Sequence, residues 1–158
     1  MNESWLKNYF NLYKKSLFDE KIFNKILDLK QDLENTKITG NKTMILGNGG
    51  SAAIASHVSV DCTKNAGIRL VNFNEADLIT CLANDYGYEN WMAKAIEFYG
   101  DDNDLVILIS SSGIVTDDSA VEFNPTDLTA GGKLTMKIVP VCIPVNETIE
   151  FNATFTKQ

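Results

Sequence analysis

The stretch ILGNGGSAAIASH, Ile45 to His57, sets three glycines and a serine directly behind a short apolar run and then changes to small helix formers. A strand that turns through glycine into a helix leaves backbone amides uncovered. The first turn of the helix adds unpaired N–H groups and a partial positive charge, both favourable to anions. The corner is therefore expected to cradle an anion or a polyol, with Ser51 adding a hydroxyl. A tight structural turn is the plainer alternative. Gly47-x-Gly49-x-x-Ala52, with Glu75 about twenty positions on, also fits a dinucleotide-binding fingerprint. The loop alone thus leaves an NAD(P)-dependent oxidoreductase open.

Outward from this corner the pattern alternates. Thr43 to Leu46 reads as a buried strand, Ser51 to Thr63 as a helix, Arg69 to Phe73 as a second strand and Glu75 to Leu82 as the start of a second helix. Asn84 to Gly87 reads as a turn, Glu89 to Tyr99 as a helix and Leu105 to Ser110 as a third strand. Strands alternating with helices of this length predict a parallel, doubly wound α/β sheet, whose ligands lie beyond the carboxyl ends of the strands. Before it, Trp5, Tyr9, Phe10, Leu12 and Tyr13 recur at helical steps, as do Ile22, Phe23, Ile26, Leu29 and Leu33. Ser16 and Asp19 have the spacing of a capping box between two such helices. The aromatic surface suits either the interior or a second subunit.

Composition narrows the partners. A formal charge of −7 argues against nucleic acid and anionic membranes. The first ten residues, MNESWLKNYF, lack the basic flank and apolar core of a secretory signal, and LVILI at Leu105 to Ile109 is far too short to span a bilayer. Cys62, Cys81 and Cys142 are scattered and odd in number, as expected of buried free thiols in a reducing cytoplasm. With His57 the only histidine, a finger-type zinc cluster is not expected.

Two further stretches, LANDYGYE at Leu82 to Glu89 and ISSSG at Ile109 to Gly113, break the tie left by the glycine loop. Together with GNGGSA at Gly47 to Ala52 and His57, they give the chain a resemblance to the sugar isomerase (SIS) domain family, and within it to the phosphoheptose isomerases. It covers residues 1–113, read as an incomplete sugar-phosphate-binding domain with a flavodoxin-like sheet. The resemblance implies that Asn48, Gly49, Gly50 and Ser51 hold sugar oxygens, that Asn84 and Asp85 contact the sugar chain, and that Ser110, Ser111 and Ser112 grip the phosphate. It implies that His57 binds zinc and that Asp61, in the place of a glutamate, serves as zinc ligand and base. The implied reaction converts sedoheptulose 7-phosphate to D-glycero-D-manno-heptose 7-phosphate for lipopolysaccharide heptose. The implied assembly is a homo-oligomer through the N-terminal helices.

Asp61 is one methylene shorter than the glutamate it replaces. Ile114 and Val115 stand where the resemblance calls for an asparagine and a final phosphate-binding serine. No second histidine is present, and Gln158 has no helical context to replace the family's glutamine. Binding with negligible turnover, or a non-catalytic sugar-phosphate-binding domain, is the expected consequence. Residues 114–158 change character: Lys133 to Ile138 and Ile149 to Thr156 alternate with period two, as in antiparallel strands with one wet face. Pro140 and Pro144 place the piece between them at an edge or in a loop. This β-patterned tail is expected either to add strands beside Leu105 to Ser110 or to leave an aggregation-prone edge there.

Overall fold

The computed structural model describes residues 2–17, 20–110, 133–140 and 152–156. Two helices, α1 (Glu3–Leu17) and α2 (Lys21–Thr39), lead into β1 (Thr43–Gly47) and α3 (Gly50–Asp61), which ends in a π-helical turn at Cys62–Ala66. Next come β2 (Leu70–Val71), α4 (Ala76–Tyr86), a 3-10 turn (Tyr88–Asn90), α5 (Trp91–Tyr99), β3 (Leu105–Ser110), β4 (Lys133–Pro140) and β5 (Asn152–Thr156). The sheet order is β2-β1-β3-β4-β5. The first four strands are parallel and β5 is antiparallel to β4.

Alternation along the central strands divides the core. Met44, Leu46 and Val106 pack on one face with Phe73 from the loop after β2 and with Leu82, Trp91 and Ile96 from α4 and α5. Ile45, Leu105, Ile107 and Ile109 face the other side, against Ala55 of α3 and Leu29 and Leu33 of α2. A strand covered on both faces has no polar side to show, which is why TMIL and LVILI read as continuous apolar runs. The expected doubly wound sheet is thus present.

Several boundaries differ from the sequence reading. Asn84 to Tyr86, expected in a turn, belong to the last turn of α4, because Leu78, Ile79, Leu82 and Ala83 keep one helical face on the core. Gly87, at φ 89°, is the residue that stops it. The second strand is two residues long rather than five. The Asn74 N–H bonds to the Asn72 side-chain oxygen at 3.3 Å, a local bond that replaces ladder pairing. Cys81 is exposed, not buried; Cys142, Pro144, Asp19 of the expected capping box and residues 111–132 lie outside the described residues. The aromatic row of α1 is not interior to this chain: Trp5 and Phe10 are more than half exposed, and Trp5 stacks on Tyr9 at a centroid distance of 5.3 Å.

The tail meets the open edge. β4 pairs with β3 from Leu105↔Thr135 to Ser110↔Pro140, so it enters as a fourth parallel strand where antiparallel pairing was expected. Pro140 occupies the last position of its strand, paired with Ser110 of β3. Among the described residues no helix is long and apolar enough to cross a membrane.

At the amino end of the strands, the Asp104 carboxylate accepts from the backbone N–H groups of Lys42 at 2.9 Å and Asp101 at 2.8 Å and pairs with the Lys42 ammonium. Its side chain is fully buried. The Asp104→Ala change leaves both amides without their acceptor and the Lys42 ammonium with Asp101 alone, and is expected to cost about 3–5 kcal/mol in urea unfolding. At the carboxyl end, a Cβ on Gly47 would lie 2.7 Å from the backbone carbon and Cβ of Ser51. Gly47→Ala must therefore push α3 off β1, with an expected loss of about 1–3 kcal/mol by the same measurement.

Candidate functional site

In an open sheet of this order the crevice opens where neighbouring connections leave in opposite directions, here between β1 and β3. Gly47 pairs with Ile109 across that point, so the glycine corner and Ser110 emerge side by side. Gly49 holds φ 55° and ψ −120°, a conformation that side chains resist, and it caps the start of α3. Added Cβ atoms at Gly49 and Gly50 would meet nothing within 4 Å. The Ser51 and Ala53 N–H groups turn back to the Asn48 and Gly49 carbonyls. Among the described residues, no acceptor takes the N–H groups of Gly49, Gly50 or Ala52. Among the described residues, nothing fills the space beside Gly49 and Gly50.

Beyond the corner, α3 carries an exposed stripe. Steps of three and four residues align Gly50, Ile54, His57 and Asp61 on one side of the helix, while Ser51, Ala55 and Ser59 are buried on the other. His57 Nε2 lies 3.4 Å from Asp61 Oδ2, and the two side chains are 81% and 54% exposed. At 1.5 Å per residue they stand about 10 and 16 Å along the axis from Gly50. The expected pair therefore exists, on the face that begins at the corner but not in the corner itself. Burial, and after it the nearby Asp61 charge, pushes the adjacent Cys62 thiol upward.

The other expected residues sort unevenly. Asn84 donates to Asp85 Oδ1 at 3.0 Å, and both are exposed at the end of α4. Ser110 closes β3 at the crevice; Ser111 and Ser112 lie outside the described residues. Glu75 caps α4 without a side-chain bond. The strand order is also not the dinucleotide-binding order 3-2-1-4-5-6, so the oxidoreductase reading gains nothing.

Sequence reasoning missed the polar clasp behind the corner. Asn74 Nδ2 donates to the Ala52 carbonyl at 2.8 Å and to Ser56 Oγ at 2.7 Å, and Asn72 Nδ2 donates to Ser59 Oγ at 2.8 Å. These bonds tie the first turns of α3 to the loop after β2. The only sequence signal was an Asn-x-Asn after a strand, opposite two serines three residues apart.

Zinc takes four ligands in most protein sites. His57 and Asp61 offer two, and among the described residues no group of three or more His, Cys, Asp or Glu converges. The described residues do not by themselves fit such an ion.

No family model matches the chain. Phosphoheptose isomerases do: that of Fusobacterium nucleatum is 34% identical over 112 residues, covering 68% of this chain and 58% of the relative. Phosphoheptose isomerase 2 of Campylobacter jejuni is 33% identical over 122 residues, covering 70% and 60%. The Helicobacter pylori enzyme is 33% identical over 125 residues, covering 72% and 63%. The chain thus spans 58 to 63% of the length of these curated relatives. Among solved structures, phosphoheptose isomerase from Neisseria gonorrhoeae superposes with a TM-score of 0.66 at 20% identity, over 89% of this chain and 73% of the other. That of Francisella tularensis gives 0.67 at 17% identity, over 91% and 84%. Through the matched part of its length the chain is homologous to the phosphoheptose isomerases, and its fold is the fold they adopt.

Proposed function

We propose that the chain belongs to a sugar-phosphate isomerase of the phosphoheptose type, acting on sedoheptulose 7-phosphate, and that it supplies the sugar-binding corner. The carrying observation is the glycine corner, whose Gly49, Gly50 and Ala52 N–H groups have no acceptor among the described residues, at the β1/β3 switch point of a chain whose relatives bear that name. Phosphate oxygens suit amides that have no other acceptor, and Ser110 adds a hydroxyl at the neighbouring strand end. Asn48, Ser51, Asn84, Asp85, Ser111 and Ser112 take the sugar-contacting and phosphate-contacting roles that the resemblance assigns.

An extended sugar phosphate anchored at the corner and laid along α3 brings its far end toward His57 and Asp61. Aldose–ketose interconversion needs a base that lifts a proton from one carbon and returns it to the next. In this reading the Asp61 carboxylate moves that proton, and His57, 3.4 Å away, orients it. The carboxylate is a methylene shorter than the family's glutamate and the chain has one histidine. We therefore assign retained binding and negligible turnover to these 158 residues. A cytoplasmic setting and a homo-oligomer that covers the exposed aromatics of α1 complete the proposal, with residues 114–158 read as a β-patterned tail whose β4 joins the sheet beside β3.

The test is a thermal-shift titration with sedoheptulose 7-phosphate, with and without added zinc, beside a coupled turnover assay. The midpoint is expected to rise with ligand, by about 2.7 kcal/mol of stabilisation at a hundredfold excess over Kd. Gly50→Val puts a branched side chain into the open corner, and is expected to fold normally and lose the shift. No shift in either condition removes the binding assignment. Turnover that vanishes in His57→Ala removes the assignment of negligible catalysis.

A further inference from the structure

The first turn of α3 has few constraints of its own. Gly47, Gly49 and Gly50 leave the backbone free to move at the place where its amides would meet a ligand. Within the turn, the Ser51 and Ala53 N–H groups close back on the Asn48 and Gly49 carbonyls. A grip from outside comes from Asn74, in the loop after β2 and 22 residues beyond Ala52.

The partners of Asn74 permit one orientation of its amide. The atom 2.8 Å from the Ala52 carbonyl must be Nδ2, because a carbonyl oxygen only accepts. Reversal would set oxygen against oxygen. The same Nδ2 donates to Ser56 Oγ at 2.7 Å, one turn farther along α3. Asn72 is oriented in the same way, since its Oδ1 accepts from the Asn74 backbone N–H, which only donates, and its Nδ2 therefore faces Ser59 Oγ. Ser59 in turn donates to the Ser56 carbonyl at 2.8 Å. Asn74 Oδ1 is left buried with no partner among the described residues, so its amide is placed to suit the helix. The far end of the helix has a separate anchor. In the π-helical turn, Thr63 Oγ1 donates to the Leu70 carbonyl at 3.1 Å and accepts from the Leu70 N–H at 3.2 Å.

We propose that Asn74 is a positioning residue, whose amide holds the first turn of α3 closed so that the N–H groups of Gly49, Gly50 and Ala52 are in place before an acceptor oxygen arrives. Order that exists before binding does not have to be created by it, and affinity gains by the difference. This rests on the sugar-phosphate reading of the corner, and deepens it by naming what prepares the corner.

The test compares Asn74→Ala with Thr63→Val in the full chain labelled with nitrogen-15. Hydrogen exchange at the Ser51 and Ala53 amides, measured without ligand, reports whether the first turn is closed. Dissociation constants for sedoheptulose 7-phosphate and for inorganic phosphate report what that closure does. Asn74→Ala is expected to speed exchange at both amides and to weaken both ligands, each roughly three- to tenfold, the worth of one hydrogen bond. Asn74→Asp keeps the size of the side chain but loses the donor, and is expected to act the same way. Thr63→Val loosens the other end of the helix; it is expected to lower the unfolding midpoint while exchange at Ser51 and Ala53 and both affinities hold. Unchanged exchange or unchanged affinity in both Asn74 variants overturns the proposal. So does an equal loss of affinity in Thr63→Val, since any loosening of α3 would then suffice. A chain that binds phosphate but not the sugar phosphate, with the Asn74 effect intact, keeps the proposal and overturns the isomerase reading. A chain that binds neither overturns both.

Discussion

The close approach of α3 to β1 at Gly47 is the constraint on which the rest of the molecule depends. With a Cβ there only 2.7 Å from the Ser51 backbone, no other residue lets the helix start so near the strand end. That approach exposes the amides of Gly49 and Gly50 instead of covering them, and sets the exposed stripe of α3 running from the corner. Asn72 and Asn74 then hold the helix from behind through Ser56, Ser59 and the Ala52 carbonyl. One glycine-rich segment thus combines a tightly packed glycine, Gly47, with two, Gly49 and Gly50, that have open space beside them.

The two ends of the sheet divide the labour. At the amino end, Lys42, Asp101 and Asp104 form an ionic knot, buried at Asp104, that fixes how β1 and β3 enter the sheet. The Lys42 hydrogen bond, and after it the Lys42 charge, hold the Asp101 carboxyl below its usual range. Its contribution is complete above the ordinary carboxylate range and is lost as pH falls through the lowered value. The carboxyl end carries uncharged donors and exposed glycines. The recess lined by Asp32, Asn35, Thr36 and Asn103 belongs to the amino end, far from the chemistry expected of such sheets.

The central fold was legible because its signals are local. TMIL, LVILI and the glycines between strand and helix each declare an element through burial or backbone freedom. The long-range facts were not. Period two in Lys133 to Ile138 announced a strand but could not tell parallel from antiparallel pairing, since both alternate side chains. Asn84 and Asp85 looked like turn formers because the apolar face that carries α4 past them lies on earlier residues. His57 and Asp61 were correctly placed four apart on one face, yet spacing says nothing of their distance from the corner. The 3.3 Å contact between Tyr88 and Asn48 went unnoticed because the two are forty residues apart.

In the proposed reading a bare strand-to-helix turn binds the ligand, and His57 and Asp61 farther along α3 serve proton movement. The most direct test is amide chemical-shift mapping as sedoheptulose 7-phosphate is added to the labelled chain. Binding at the corner predicts that the largest changes fall on Gly49, Gly50 and Ala52. Changes concentrated at the Lys42–Asp104 end, with those three amides still, would contradict it.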